Sequence, residues 1–450
     1  MEKNNEIIAA LDIGTTKIVA IAGYKTKDNN FEVVSFGTSP SHGIQRGIVV
    51  NIDETVRSIK NAILKAEQSS DYIFTEVFVG IAGQHVLTKT TSCSLYLSND
   101  EDQIQDSHLL VLQDQIISLN NNPGEEIIDI IPQSYVVDKK PGIENPVGMK
   151  ASTLQGNFHV ITGKMGMVNN IKKCVQLCDL KIKSLILEPI ASSEAVLSKE
   201  EKENNVVMID IGGGTTDLAI FKSDRIIKTA VIPIGGNTIT SDIAKTLDLL
   251  DKQAEKLKIA YGAAIEEKNH KETLLSIEGV RRQGVVEISL NELTSIISSR
   301  LSEILFSVKF QIENTSVKDN LSAGIVITGG GSLTKNLKQL ATFILKSNVR
   351  IGYPNTFIVG KYAEDINNPQ FSTAIGLIIR GIELLEIEAE EARNLDAINQ
   401  KLNETQEEDE NDKKSKKKNK KEKGSVFNSL LNRMANLFDE DELDENTENN

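Results

Sequence analysis

The order of apolar and polar positions along the chain predicts an α/β protein in which one unit occurs twice. The segment Ile7–Tyr24 (IIAALDIGTTKIVAIAGY) is apolar on both sides of a polar turn that opens with Asp12. The segment Val206–Lys222 (VVMIDIGGGTTDLAIFK) repeats that arrangement around Asp210. Each segment predicts two buried strands joined by a glycine-containing hairpin turn. Because the signature recurs far apart in the chain, we predict a duplicated domain and not a short-period repeat.

The first half continues with elements expected of an α/β unit. Short apolar runs predict strands, and apolar residues at helical spacing predict helices, the first of which Asp53 can cap. The predicted strands are Phe31–Gly37, Glu76–Ala82 and Lys183–Glu188, and the predicted helices are Ile52–Ser69, Val168–Leu180 and Ile190–Leu197.

Residues 84–164 interrupt this half with a different pattern of apolar and polar residues. Short strand-like runs surround one helical stretch near Asp106–Leu119, after which the helix at Val168–Leu180 rejoins the first half. The runs are Val86–Tyr96, Ile127–Val137 and His159–Gly163. We therefore predict a small inserted α+β subdomain.

The second half shows further turns and helices after its hairpin. A turn at Gly235–Gly236–Asn237 precedes a helix, and Ser289 with Glu292 forms a predicted capping box that starts an amphipathic helix. The apolar face of that helix carries Leu293, Ile296, Ile297, Leu301, Ile304, Leu305 and Val308. The segment Gly324–Leu337 predicts a strand, then three glycines, then a helix that starts near Ser332. The remaining predicted elements are a helix at Lys252–Tyr261, a strand at Val285–Ile288 and a helix rich in small residues at Phe371–Leu385.

Composition narrows the class of protein. With 450 residues, 39% of them hydrophobic and 25% charged, the chain has room for several domains of ordinary globular character. A net charge of −14 argues against general nucleic-acid binding by the body. The three cysteines suggest neither a disulfide framework nor a metal site, and we see no signal-peptide core and no apolar run that spans a bilayer. We therefore expect a reduced, cytosolic compartment.

The glycine-rich turns suggest binding of nucleotide phosphates with a divalent cation. Successive glycines let backbone N–H groups approach an anion, and a carboxylate at a strand end can hold a hydrated cation. A plain hairpin turn is the alternative for either motif alone, and two matching turns that face each other make it less favoured. The third glycine cluster, Gly329–Gly331, could hold the nucleoside end or form a tight strand-to-helix turn.

Taken together, these segments resemble the phosphate, connecting and adenosine motifs of the actin-type ATPases, a superfamily that includes heat-shock chaperones and sugar kinases. Within it the chain is similar to the bacterial cell-division family FtsA. The features that favour this family are the position of the insertion, the run TSDIAKTLDL, the run at Ala254–Ala264 and a C-terminal amphipathic segment. The resemblance implies an actin-like ATPase fold of two duplicated halves that face a nucleotide cleft, with a small α+β inserted subdomain.

The resemblance also implies site residues for ATP and Mg²⁺. Asp12 and Asp210 would hold Mg²⁺ through water, and Glu188 would position the attacking water, which makes Glu188 and Asp210 the candidate catalytic residues. From the residues alone, Glu188 could equally be a helix-start carboxylate, and Glu255 with Lys258 a solvated ion pair. The implied phosphate contacts are Gly14, Thr15, Thr16, Lys17, Gly212, Gly213, Gly214, Thr215 and Thr216, and the implied nucleoside contacts are Gly235, Gly236, Asn237, Glu255, Lys258, Gly329, Gly330 and Gly331.

The chain beyond Leu385 has a separate character. An acidic stretch and the lysine run Lys413–Lys423 predict a charged, disordered linker. At about 100° per residue the large apolar residues of 424–438 fall within about 140°, and about 15 residues span about 22 Å, too short for a ~30 Å bilayer core. We expect an interfacial membrane helix aided by the lysines; docking on a partner or on the body is the alternative. Its apolar residues are Val426, Phe427, Leu430, Leu431, Met434, Leu437 and Phe438.

This segment departs from the family pattern, in which the terminal helix is basic. Only Arg433 is basic here, and Asp439–Glu445 adds acidic residues. The electrostatic part of membrane binding therefore depends on the upstream lysines. A nucleic-acid arm is the other interpretation of a lysine run, and the amphipathic segment that follows disfavours it.

The resemblance therefore implies an ATP-binding assembly protein, with weak turnover, at the cytoplasmic face of the membrane at the division septum. It would polymerise, bind the C-terminal peptide of the tubulin-like protein FtsZ on its smaller second-half subdomain at about Ile226–Ser307, bind lipids as a peripheral protein, and recruit later division proteins. The alternatives are a cytosolic ATPase of the superfamily, either a chaperone-like protein or a small-molecule kinase, and a pilus-assembly actin-like protein.

The predicted domain boundaries follow from this interpretation. They are 1–83, 165–204 and 366–388 for the first core, 84–164 for the insertion, 205–225 and 308–365 for the second core, 226–307 for its smaller subdomain, 389–423 for the linker, 424–438 for the amphipathic helix, and 439–450 for the acidic end.

Overall fold

A computed structural model describes residues 6–97, 103–266, 273–278, 285–354, 358–390 and 393 of the chain. The chain divides into two compact units, Met1–Leu384 and Leu385–Asn450. Every element described below begins in the first unit. The predicted amphipathic segment at 424–438 lies outside the described residues.

The described residues alternate between strands and helices as the apolar pattern predicts. The strands are β1 (Ile8–Ile13), β2 (Lys17–Lys25), β3 (Phe31–Pro40), β4 (Ile44–Gln45), β5 (Ile48–Val49), β6 (Glu76–Ile81), β7 (Val86–Tyr96), β8 (Glu125–Val137), β9 (Lys140–Ile143), β10 (Thr153–Lys164), β11 (Lys181–Leu187), β12 (Val206–Ile211), β13 (Thr216–Lys222), β14 (Arg225–Ile232), β15 (Leu274–Glu278), β16 (Val285–Ser289), β17 (Gly324–Thr328), β18 (Val349–Ile351) and β19 (Ile358–Val359). The helices are α1 (Ile52–Gln68), α2 (Asp106–Asn120), α3 (Met165–Gln176), α4 (Glu188–Val196), α5 (Lys199–Glu203), α6 (Gly236–Thr246), α7 (Asp251–Tyr261), α8 (Leu290–Glu313), α9 (Leu337–Leu345), α10 (Ala363–Ile366) and α11 (372–390).

Two sheets share a common order of five strands, which confirms the predicted duplication, and β19 adds a sixth strand to the first. The first has the strand order β11-β6-β1-β2-β3-β19, and the second has the order β14-β13-β12-β17-β18. In each sheet three antiparallel strands form a meander, and the first of them also pairs with parallel strands, β6 beside β1 and β17 beside β12. The strands that open each meander are fully buried, because their apolar residues face covered layers on both sides.

The insertion is a separate layer of sheet and helix, as predicted. Its strands have the order β7-β10-β8-β9 and pack with α2 around their own apolar core. The insertion also contacts the second half through β14, where His159 Nε2 lies 3.1 Å from Thr229 Oγ1 and the Thr88 hydroxyl donates to the Thr229 carbonyl at 3.1 Å. An ion pair of 2.6 Å joins Arg225 to Glu144 at the same boundary.

Helices α6, α7 and α8 extend the core of the second sheet. The buried side chains of that sheet and of these helices form one continuous apolar cluster. The predicted apolar face of α8 is confirmed, because it is buried throughout except at Ile296, which is partly buried. This packing fixes α6 and α7 beside the turn between β12 and β13.

Helices α4 and α11 cross in direct backbone contact at the small residues of α11. A Cβ atom added to Gly376 would lie 3.0 Å from Ala191 Cα and would overlap the Ala191 carbonyl group. Only glycine at position 376 allows the two helices to approach this closely.

Two predicted helix caps are wrong. Asn51, and not Asp53, caps α1: its side chain accepts a hydrogen bond of 3.2 Å from the Glu54 N–H, because Asn51 is the last extended residue before the helix. Ser289 precedes α8 but makes no side-chain cap hydrogen bond. Its backbone is paired opposite Leu274 in the β15–β16 ladder, so the strand and not the helix sets its orientation.

Two predicted turns also differ from the structure. Gly236 and Asn237 belong to the first turn of α6 and not to a turn before it, because their N–H groups bond to the neighbouring hairpin. The predicted helix near Ser332 is a short 3₁₀ turn at Gly330–Leu333, and α9 begins only at Leu337. The left-handed backbone of Asn336 (φ 63°) separates the two.

Candidate nucleotide-binding site

The two hairpin turns of the duplicated sheets lie directly against each other. A Cβ atom on Gly214 would come within 2.9 Å of Thr15 Cβ, and one on Gly213 would lie 3.1 Å from Thr16 Cβ. Both glycines are therefore required for this approach. The structure thus brings the two predicted phosphate turns face to face, one from each half.

Within each turn the predicted residues also support the local backbone. A Cβ on Gly14 would lie 2.8 Å from the Lys17 carbonyl oxygen, so the first turn is tight at its glycine. In the second turn the Thr215 hydroxyl donates to Asp217 Oδ2 at 2.9 Å, and the Thr216 hydroxyl donates to the Ile234 carbonyl at 2.8 Å. These two hydroxyls therefore brace the turn.

Acidic side chains gather behind the turns, and burial shifts all of them toward the neutral form. Burial raises the pKa of Asp12 to about 6, with Lys17 acting in the opposite direction and Asp210 in the same direction. Burial is also the main cause that raises the pKa of Asp210. The pKa of Glu188 lies well above its usual range, first because of burial and then because of Asp12, Asp217 and Asp210.

Asp217 belongs to this group although the sequence analysis did not assign it to the site. It is 4% exposed, and burial followed by repulsion from Asp210 raises its pKa to about 8. Its Oδ1 atom is buried without a hydrogen-bond partner. The position of Asp217 could have been predicted from the sequence, because the register of the hairpin places it directly opposite Asp210 in the ladder.

Lys17 supplies the positive charge at the first turn. Its ammonium group donates to the Gln370 carbonyl and lies 4.6 Å from the centre of the Phe371 ring. Burial lowers its pKa, while Asp12 and Asp210 raise it. Lys17 therefore links the first turn to the residues that lead into α11.

The start of α6 packs against the second turn. The N–H groups of Gly236 and Asn237 donate to the carbonyls of Gly212 and Gly213 at 2.9 and 2.8 Å. A Cβ on Gly235 would lie 2.8 Å from the Gly213 carbonyl oxygen, so this contact requires a glycine. The structure therefore joins these two groups of predicted contacts into one loop assembly.

Glu255 and Lys258 form the i,i+3 ion pair that the alternative described, and it is only partly solvated because the Glu255 side chain is 36% exposed and Lys258 is more buried. The Lys258 side chain is 14% exposed, and its ammonium group lies 2.7 Å from Glu255 Oε2. It also donates to the Gly236 carbonyl at 2.9 Å and to the Thr240 hydroxyl at 2.8 Å. Thr240, which the sequence analysis missed, connects α7 to the glycine start of α6.

The third glycine cluster approaches the end of β12. Gly329 has a left-handed backbone (φ 81°), and a Cβ there would collide with Asp210 Oδ1 and lie 2.6 Å from the Ile211 carbonyl oxygen. A Cβ on Gly331 would lie 2.9 Å from Ile211 Cβ, whereas Gly330 has more room. This cluster therefore belongs to the same assembly as Asp210.

The donor set fits a nucleotide with a hard cation. Buried carboxylate oxygens at Asp12 and Asp210 are the ligand type that Mg²⁺ prefers, usually with retained waters. Backbone turns without Cβ atoms and the Lys17 ammonium group suit phosphate oxygens. Among the described residues, no three His, Cys, Asp or Glu side chains form a group that could ligate a metal directly.

A duplicated α/β body with an insertion in its first half and two facing glycine turns defines the actin-like ATPase fold. A solved PilM–PilN type IV pilus biogenesis complex matches this fold with a TM-score of 0.62 and 16% identity, over 83% of this chain and 98% of that one. Sequence models described as "Cell division protein FtsA" and "SHS2 domain inserted in FTSA" match residues 207–376 and 83–162.

Curated relatives establish the family. Cell division protein FtsA of Neisseria meningitidis serogroup B is 36% identical over 379 residues, which cover 84% of this chain and 91% of that protein. The FtsA proteins of Pseudomonas aeruginosa and Escherichia coli K12 are 35% and 31% identical over 85% and 84% of this chain, and over 90% and 91% of their own lengths. The chain belongs to the FtsA family of cell-division proteins.

Within the part of the chain that the structure describes, no helix combines the length and apolar character needed to cross a bilayer. The membrane-binding residues predicted at 424–438 lie outside that part.

Proposed function

We propose that this chain is an ATP-binding tether that attaches FtsZ filaments to the cytoplasmic face of the membrane at the division septum. Family membership supports the division role. The observation that carries nucleotide binding is the face-to-face contact of two duplicated glycine turns, with buried carboxylates behind them. The proposed domains are those predicted from the sequence, with the insertion at 84–164.

In this proposal each half contributes to the nucleotide. Asp12 and Asp210 orient a hydrated Mg²⁺, which neutralises phosphate charge when bound. Lys17 and the glycine turns contact the phosphates, while Lys258 and Glu255 contact the nucleoside with the glycine clusters at 235–236 and 329–331. Titration with a fluorescent ATP analogue tests this: we expect binding that weakens when Mg²⁺ is chelated, and no binding at all would contradict it.

We infer that turnover is slow. Glu188 is the candidate for positioning the attacking water, but its raised pKa favours the neutral carboxylic acid, which is a poor base. A Cβ on Gly80 would lie 3.2 Å from Glu188 Cγ and 3.3 Å from Leu377, so the side chain is also closely packed. Phosphate release should therefore be slow in the wild type and fall further in Glu188→Gln.

The proposed anchor is the amphipathic segment at 424–438. Its seven large apolar residues on one side and the preceding lysines support interfacial binding to anionic lipid. Liposome flotation of the full chain and of a chain truncated before Gly424, both with ATP and Mg²⁺, tests this. We expect only the full chain to float on anionic vesicles; if both remain in solution, the segment docks on a partner instead.

For FtsZ we propose the groove between the end of β14 and α8 on the second half. Val231 and Ile234 line it, together with Phe306 and Phe310, which are 57% and 62% exposed. Exposed aromatic rings beside an apolar groove suit an amphipathic peptide. We expect Phe306→Ser to weaken binding of an FtsZ C-terminal peptide about tenfold. The matched variant Phe343→Ser, 81% exposed on α9 outside this groove, should bind normally.

The same peptide separates this proposal from the other actin-like functions. A cytosolic ATPase or a pilus-assembly protein has no reason to bind it, so absence of binding by the wild type would contradict the tether. Self-association into actin-like filaments on lipid, and recruitment of later division proteins, are further parts of the proposal that sedimentation and co-purification test.

A further inference from the structure

Two hydroxyl groups converge on one oxygen of the buried carboxylate of Asp210. The Ser192 hydroxyl donates to Asp210 Oδ2 at 2.7 Å, and the Thr373 hydroxyl donates to the same oxygen at 3.2 Å. The two hydroxyl oxygens are themselves 3.0 Å apart. Ser192 is fully buried, and Asp210 is 8% exposed. The three side chains therefore form a closed triangle largely shielded from water.

The two hydroxyls come from the two helices that cross between the halves. Ser192 lies in α4 next to Ala191, and Thr373 lies in α11 one turn before Gly376. Ala191 and Gly376 are the residues whose backbones touch. Sliding of one helix over the other would therefore move one hydroxyl away from Asp210.

The neighbouring residues tie the same crossing to β17. Ser372, also fully buried, shares a hydrogen bond of 2.6 Å with Thr328, whose hydroxyl lies 3.0 Å from the Gly352 carbonyl oxygen. The start of α11 is thus fixed to the second sheet at two adjacent residues. The Thr373 contact reaches Asp210, a candidate cation ligand, whereas the Ser372 contact reaches Thr328, which is not a candidate ligand.

Two donors on Oδ2 determine the plane of the carboxylate. A carboxylate oxygen that accepts two hydrogen bonds has little freedom to rotate, and hydrogen bonds to a charged acceptor are strong. The other oxygen, Oδ1, faces Gly329, where a Cβ would collide with it. The glycine therefore lets the loop after β17 approach Oδ1 closely.

We propose that Ser192 and Thr373 are positioning residues, which orient Asp210 toward the hydrated cation of the nucleotide and couple that orientation to the crossing of α4 and α11. The inference rests on the proposed nucleotide site. It adds that loss of either hydroxyl weakens the contribution of Mg²⁺ to nucleotide affinity, while binding of the metal-free nucleotide is retained.

The chain offers a matched control for this inference in the adjacent residue. Ser193 is fully buried in the same helix, but its hydroxyl donates to the Pro189 carbonyl at 2.7 Å. Ser193→Ala and Ser192→Ala remove the same atom from the same buried helix. Only Ser192→Ala removes a donor to Asp210.

The test is the affinity of the full chain for a fluorescent ATP analogue, measured with Mg²⁺ and with chelator for each variant. The ratio of the two affinities is the readout, because partial loss of folded protein affects both and cancels. For Ser192→Ala and Thr373→Val we expect this ratio to fall about tenfold, a conservative figure for a hydrogen bond to a charged group. Ser193→Ala should keep the wild-type ratio, and Thr373→Ser, which retains the hydroxyl, should restore it.

The outcomes distinguish a failure of the proposed nucleotide site from a failure of the positioning role of Ser192 and Thr373. A wild-type protein whose binding does not depend on Mg²⁺ overturns the proposed site and this inference with it. A wild-type protein that shows the dependence, with unchanged ratios in both Ser192→Ala and Thr373→Val, overturns the inference alone. An equal fall in Ser193→Ala also overturns it, because the effect would then come from the helix and not from Asp210. If Ser192→Ala does not fold, the half-buried position 373 decides the question.

Discussion

The two hairpins of the molecule have the same topology but different chemistry. In the first, Asp12 stands opposite Val19 in the ladder, and the turn ends with Lys17. In the second, Asp210 stands opposite Asp217, and the turn carries three glycines and no cation. Duplication therefore placed two equivalent turns against each other, and they differ in the side chains that they carry.

The difference is electrostatic. At the first turn the charge of Lys17 partly offsets the burial of Asp12, whose pKa rises to about 6. At the second turn a carboxylate faces a carboxylate, and the pKa of Asp217 rises to about 8. Hydroxyl groups, and not a cation of its own hairpin, satisfy Asp210. The first turn therefore carries a cation of its own, whereas the second gathers two facing carboxylates without one.

The largest effect should come from separating the turns. Gly214→Val would place side-chain atoms on Thr15 across the contact. We expect nucleotide affinity to fall about 100-fold, because small displacements in a preorganised site are costly, and the free energy of unfolding to fall by about 1–3 kcal/mol. Nucleotide titration and urea unfolding measure both. Gly166→Ala, where a Cβ meets no atom within 4 Å, is the control, and equal behaviour of the two variants would contradict the contact.

The pH dependence of stability should distinguish the two carboxylates. Asp217 binds a proton in the folded state up to about pH 8, whereas its unfolded value is 3.8. The folded state then holds more protons, so stability falls as pH rises through this window. Asp217→Asn removes the ionisable group. The fall in the free energy of unfolding that it causes, on the order of 3 kcal/mol between pH 5 and pH 8, should therefore be absent from this variant.

The matching variant Asp12→Asn is the internal comparison, measured by urea unfolding without nucleotide or Mg²⁺. The part of the free energy of unfolding that depends on protonated Asp12 should be lost at a lower pH than the part that depends on Asp217, because the folded pKa of Asp12 is about 6. Above about pH 7 the slope should therefore change in Asp217→Asn and not in Asp12→Asn. Identical slopes in the wild type and Asp217→Asn would show that Asp217 is not buried in this way.

Removing the cation of the first turn should have a smaller effect. Lys17→Met keeps the length of the side chain and loses the charge that acts on Asp12 and that, in the proposed site, contacts the phosphates. We expect about tenfold weaker nucleotide binding, the size of one charge-assisted contact. Titration at two salt concentrations checks this, since the wild-type affinity should decline with salt more steeply than that of the variant. Equal slopes would place the phosphates away from Lys17.

The smallest effect should come from Thr16→Val. Its hydroxyl oxygen lies 3.4 Å from Asn237 Oδ1, which is long for a hydrogen bond. We expect nucleotide affinity to change less than about threefold. A larger loss in the same titration would show that the Thr16 hydroxyl contacts the phosphates directly and that the first turn contributes more than its charge.

The sequence was most informative where a motif is local. The turns at Asp12 and Asp210, the strands beside them and the insertion could all be predicted, because hydrophobic period and glycine position act over a few residues. Local signals misled at helix starts: Ser289 and Glu292 have the residue types of a capping box, but the strand ladder orients Ser289. Residues 330–333 form a 3₁₀ turn in which Gly331 packs against Ile211, a contact that the local sequence does not reveal.

What the sequence by itself determined is therefore the duplicated α/β framework, its two glycine turns and their candidate chemistry. Only the tertiary structure decided how Asp210 is held, since its partners Ser192 and Thr373 are 18 and 163 residues away and lie on two different helices. Periodicity shows which face of a helix is buried but not which buried polar groups meet there. Because an unpaired buried carboxylate is costly, the crossing of α4 and α11 had to supply its donors, and only the folded arrangement shows which two they are.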